Sequence, residues 1–199
     1  IKSCALVLGD DGLVRLHPLD TDYIQSKLTH DRFVAFDLRL AGWYARGSTN
    51  RDAWRRVTDA GPVKQEYRHW WRAEQRVEAL DVLAGAAFFL ARHGDSPVLR
   101  AAVAAADEAG LETNVSRYVC LGAAEFYSGS LETAVECFRS ASRLQVAAPE
   151  WDMWTGIALR HTGRGREAGQ VLSLIASDAR HPRKLRIEAT FELVLAWCY

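Results

Sequence analysis

Shifting the chain 34 residues along itself places Gly122 on Gly156, Gly129 on Gly163, Ala134 on Ala168 and Phe138 on Leu172. This recurrence constrains the fold more than any other feature, because a unit so short cannot bury its apolar face alone and must stack on copies of itself. The residue types suit paired helices. Gly122 and Ala134 allow two helices to approach closely, Phe138 and Leu121 fill the space between them, and Gly129 makes the turn that joins them.

In full, the first unit carries Tyr118, Leu121, Gly122, Gly129, Leu131, Ala134, Phe138, Ala141 and Leu144, and this spacing resembles the tetratricopeptide repeat family. The second unit keeps Gly156, Gly163, Ala168 and Leu172 but departs at Asp152, where the pattern wants an aromatic, and at Thr155, where it wants leucine. Upstream, Leu83, Gly94, Val103 and Ala106 match more poorly at an offset nearer 35. The resemblance is clearest over residues 115–175 and absent before about Asp31. It implies an all-α fold of antiparallel helical hairpins stacked as an α-solenoid.

The remaining chain is divided by its breakers. Residues 1–30 form an N-terminal extension, in which Cys4–Leu8 and Leu13–Leu16 read as short β runs around a Gly-Asp-Asp-Gly turn. Asp10 and Asp11 there are turn formers, since the further spaced acids of a calcium loop are missing. Residues 31–75 are expected to be a helical cap and 76–199 the repeats. Phe33, Phe36, Leu40, Trp43 and Tyr44 mark one face of a helix ending near Gly47, a short helix is expected around Ala53–Val57, and Pro62 opens the next, which continues as one helix or a pair to Arg92. Gly94 and Gly110 close helices before the clearest repeat begins.

With 25 basic and 25 acidic residues the chain has no overall charge that would suit nucleic acid or anionic lipid, so such a role would have to be local. Apolar runs are too short to cross a bilayer, and no intact signal peptide is read at the start, so a cytoplasmic location is expected. Cys4, Cys120, Cys137 and Cys198 lack metal-ligand spacing and read as reduced core residues. No nucleotide, zinc-protease or hydrolase motif is present, and the six histidines are scattered, so neither catalysis nor a cofactor is expected.

The family resemblance implies that the first helix of each hairpin lines a concave groove that receives a peptide or helix of another protein. Carried over in register, that groove comprises Val119, Ala123, Phe126 and Tyr127, then Met153, Ile157, Arg160 and His161, then Ile187 and Phe191. Most are apolar, which suits a hydrophobic segment. Val119 and Ala123 stand where one subclass of the family uses lysine and asparagine to grip a carboxylate, so a chaperone tail is not expected. The apolar run Glu192–Tyr199 should pack on the preceding hairpin or on another molecule, a second copy included.

A second candidate surface lies between Arg39 and Arg72, where eight cations face three acids, a net charge of +5. Arg51, Trp54, Arg55, Arg56, Arg68, Trp71 and Arg72 combine charge with aromatic rings, the chemistry that holds single-stranded nucleic acid. The simpler account is a helical cap whose rings are buried beneath arginine stems.

Overall fold

The 34-residue offset is a structural period. Helices begin at Val115, Pro149 and Arg183, each 34 residues after the last, and their successors begin at Leu131 and Gly165 with the same interval. The computed structural model describes residues 6–8, 14–16, 29–47, 51–145 and 148–198. Among them lie ten helices: α1 (His30–Gly47), α2 (Gly61–Arg72), α3 (Arg76–Ala84), α4 (Ala87–Arg92), α5 (Ser96–Glu108), α6 (Val115–Ser128), α7 (Leu131–Leu144), α8 (Pro149–His161), α9 (Gly165–Ser177) and α10 (Arg183–Trp197). Each packs on the next in sequence, and α3 and α4 also reach α6. None of these helices is long and apolar enough to cross a membrane.

The turns are set by glycine. Gly129 and Gly163 adopt φ of 87° and 79°, which a Cβ would oppose, and so end α6 and α8 in the left-handed conformation. Ser130 N–H then donates to the Glu125 carbonyl and Gly129 N–H to that of Phe126; Arg164 and Gly163 repeat the pair with Leu159 and Arg160. Two of the last carbonyls of each helix are thereby satisfied, and the chain reverses within two residues. At the other end of α6, the Asn114 side chain accepts the Arg117 N–H at 3.1 Å and caps the first turn.

Packing across each hairpin follows the sequence period. Ala134, Phe138, Ala168 and Leu172 are fully buried. Leu121, expected to be buried with them, is only half-buried and packs at the edge of the upstream cluster. Two clusters form the core, one around Leu83, Leu90, Leu99 and Val119, the other around Phe138, Leu159, Leu172 and Leu185. Phe88 of α4 joins them by stacking on Trp154 of α8 at 3.9 Å between ring centres and on Phe138 at 5.8 Å.

The region before Arg92 is more broken than its periodicity suggests. The expected helix at Ala53–Val57 is absent; 3-10 turns at Arg51–Ala53 and Val57–Ala60 flank it instead. The Asp59 carboxylate accepts the backbone N–H groups of Arg55 and Arg56 at 2.7 and 2.8 Å, which holds the chain in a turn before α2. Gly61 and Pro62 then begin α2 as expected. The stretch to Arg92 holds three helices, broken at Glu74, which has φ of 63°, and at Gly85. The Arg51 guanidinium lies against Gly85 where a Cβ would stand, so the second break seats a side chain from the preceding turn.

At the N-terminus, Leu6–Leu8 and Val14–Leu16 pair antiparallel with Leu6 opposite Leu16. The turn holding Asp10 and Asp11 lies outside the described residues, as does Cys4.

Candidate partner-binding groove

Side chains from α6, α8 and α10 form one connected strip. Tyr127 is 40% exposed and meets the edge of Phe126, which in turn meets the edge of His161 at 5.5 Å. The Arg160 guanidinium donates to His161 Nε2 at 3.1 Å and to the Glu192 carboxylate at 3.1 Å, which ties α8 to α10. Beyond Glu192, α10 presents Ile187, Phe191, Val194 and Trp197, exposed by 58%, 63%, 52% and 73%. Steps of four, three and three residues set them along one helical face. The aromatic group thus reaches one flank of α10 through the ion pair, and the apolar face opens about 100° around the helix, beginning at Phe191.

His161 is the imidazole of this strip. Partial burial of its ring is the largest influence and lowers its pKa, the Arg160 charge lowers it further, and Glu192 opposes both. The neutral ring is the form that can accept from Arg160, so hydrogen bonding and charge favour the same state.

Seven of the ten groove residues expected from the sequence share this strip or its border: Phe126, Tyr127, Ile157, Arg160, His161, Ile187 and Phe191, with Phe126 and Ile157 half-buried. The other three need correction. Val119, Ala123 and Met153 are 1%, 0% and 8% exposed and belong to the core. Val119 and Ala123 are sealed in the cluster built with α3, α4 and α5, and Met153 in the cluster of α7 to α10. The broken upstream helices pack directly on α6, so its inner face fills before a partner can reach it. Val194 and Trp197 belong to the apolar run Glu192–Tyr199 expected to pack on the preceding hairpin or on another molecule, and Ile187, Phe191 and Val194 follow helical spacing in the sequence.

The basic segment resolves into local contacts. Besides Arg51 against Gly85, Trp54 meets Phe89 edge-on at 5.1 Å, Trp71 lies near Tyr67, and the Arg72 guanidinium sits 4.6 Å from the centre of Phe33. Trp54 and Trp71 are half-buried, whereas Arg55, Arg56, Arg68 and Arg72 remain on the surface. Arg55 also donates to the Trp54 carbonyl at 2.9 Å. Trp54 and Trp71 thus pack within the cap, whereas Trp43 on α1 is 57% exposed.

Beneath that segment lies a pair the sequence reading overlooked. Asp37 is fully buried, accepts from His69 Nδ1 through Oδ1 at 2.7 Å, and has Arg72 Nε 3.4 Å from Oδ2. His69 also stacks on Tyr44 at 5.5 Å. The available signal was an aspartate four residues after Phe33, on the face that Phe36 and Leu40 mark as apolar.

Buried cysteines offer no reactive group here. Burial pushes the Cys120 thiol up to about 12 and the Cys137 thiol up to about 11, so both stay protonated and weakly nucleophilic. Both are free thiols. Among the described residues, no three of His, Cys, Asp and Glu gather as a metal site requires. No family model, curated protein or solved structure matches this chain.

Proposed function

We propose that this chain is a helical-repeat interaction module of tetratricopeptide type, which holds an apolar helix or extended segment of a partner protein along the strip from Tyr127 to Val194. The observations that carry this reading are the exposed apolar face of α10 and the aromatic pair Phe126 and Tyr127, which is tied to a flank of the same helix through His161, Arg160 and Glu192. Contiguous apolar surface is costly to leave in water and marks interaction sites on soluble proteins. The aromatic residues supply anchors and the Arg160–Glu192 pair a polar register mark. The 34-residue recurrence of helix starts and glycine turns supports the repeat assignment.

A photo-crosslinking residue placed at Tyr127 or at Phe191 tests it. Both positions should capture the same segment of the same partner, while Leu174, which is 72% exposed on α9, should not. Capture of unrelated proteins from the two positions, or equal capture from Leu174, would overturn the assignment of one groove.

A further inference from the structure

We infer that α10 is also a self-recognition element, pairing antiparallel with α10 of a second copy and so closing the apolar half of the proposed groove. The inference rests on the interaction reading only for its consequence, the competition between copy and partner; the pairing itself stands on α10 alone.

Helical spacing puts Lys184, Ile187, Phe191 and Val194 along the centre of the open face, with Arg183, Thr190 and Trp197 on one flank; Leu185, Ala189 and Ala196 are buried on the opposite side. A two-fold axis passing beside Thr190 makes this face complementary to itself. It sets Phe191 against Ile187 of the second copy and lays the Lys184 stem along Val194. The same axis sets Arg183 over the face of Trp197, where a guanidinium is attracted to the indole quadrupole. Each contact occurs twice by symmetry. The exposed Arg183 and Trp197 have no better use in the free chain: Trp197 leaves 73% of its surface in water although its indole touches Gly169.

A parallel pairing would instead place Arg183 beside Arg183 and Lys184 beside Lys184, which like-charge repulsion disfavours. The helix dipoles also oppose favourably only in the antiparallel arrangement. Four side chains more than half open supply on the order of 400 Å² per copy, and flanking stems bring the pair to roughly 1,000 Å², the low end for a specific contact. A reversible dimer with a dissociation constant on the order of 10 µM follows, weak enough for a partner to displace.

Sedimentation equilibrium of the 199-residue chain should show a monomer–dimer equilibrium, and Arg183→Glu, a surface change that leaves folding intact, should weaken it about tenfold through its two symmetric contacts. Phe191→Asp should abolish the dimer with helicity unchanged. In a Cys198→Ser background, Thr190→Cys should form an intermolecular disulfide with its own copy under mild oxidation, whereas Glu188→Cys, on the other flank, should not. A chain that stays monomeric at about 200 µM would overturn the pairing while leaving the crosslinking test at Tyr127 untouched. Dimers that survive Arg183→Glu undiminished, or that crosslink through Glu188→Cys in place of Thr190→Cys, would overturn the proposed register.

Discussion

The Phe138 ring occupies the place where a side chain on Gly122 would begin: a Cβ built on that glycine would stand 2.5 Å from Cε1 of the ring. One period later the relationship recurs, with Leu172 Cγ 2.6 Å from a Cβ built on Gly156. Close approach of the two helices in each hairpin thus depends on a missing methyl group and a bulky partner together. Phe138→Ala should cost about 3 to 5 kcal/mol by emptying a fully buried site, and Gly122→Ala about 1 to 3 kcal/mol by overpacking it. In urea unfolding the double variant should cost less than the sum, because the shortened residue 138 makes room for the added methyl. Strict additivity would show that the two positions do not share a contact.

That pair was legible in the sequence because both members recur at a fixed offset, and the same is true of the turns at Gly129 and Gly163. The burial of Val119, Ala123 and Met153 was not, because register places a residue on a face but says nothing of how near the neighbouring helix comes. The upstream region was least legible. Its breaks at Glu74 and Gly85 answer to tertiary contacts such as Arg51 against Gly85, and these carry no periodic signal. Asp37 was hidden for the opposite reason, as a polar residue inside an apolar pattern whose partners lie on α2, far along the chain.

The Asp37 cluster should be structural. His69→Ala would leave a carboxylate with no exposure facing only Arg72 at 3.4 Å, so thermal unfolding should register a loss of about 2 to 4 kcal/mol. Asp37→Asn should cost less, since it removes the charge along with part of its pairing. A His69→Ala loss below about 1 kcal/mol would mean that Arg72 or water suffices to hold the buried acid.

His161 sets a pH dependence whose sign follows from its lowered pKa. The folded chain favours the neutral ring, so the unfolded chain takes up a proton first as pH falls. The stabilisation is complete above the ordinary imidazole value, about 6.5, and is lost below it as pH falls through the folded value. Protonation also removes the acceptor that Arg160 uses. The melting temperature should fall between pH 7.5 and 5.5, and His161→Gln should reduce that slope. Asp107, Glu125, Glu167 and Asp178, all held low chiefly by side-chain hydrogen bonds from arginine, act in a separate window at and below about pH 4. An identical slope in the variant would place the titration elsewhere.

Surface and core members of the expected groove should separate under mutation. Tyr127→Ala and Ile187→Asp alter residues that are 40% and 58% exposed, so partner capture should be lost while the melting temperature moves little. Val119→Ala and Met153→Ala cut into buried positions and should cost about 1 to 3 kcal/mol and about 2 to 5 kcal/mol, with capture surviving at temperatures where the chain stays folded. The contrast matters because Val119, Met153 and Ile187 are equivalent in the 34-residue register, and all four positions lie in the groove that the family resemblance implies. If Val119→Ala abolishes capture without loss of stability, α6 must open to admit the partner and the strip is wider than its resting surface. If Ile187→Asp lowers the melting temperature as much as Met153→Ala does, the face of α10 is sealed in solution by the fold itself, and the docking surface must lie toward Phe126 and Tyr127.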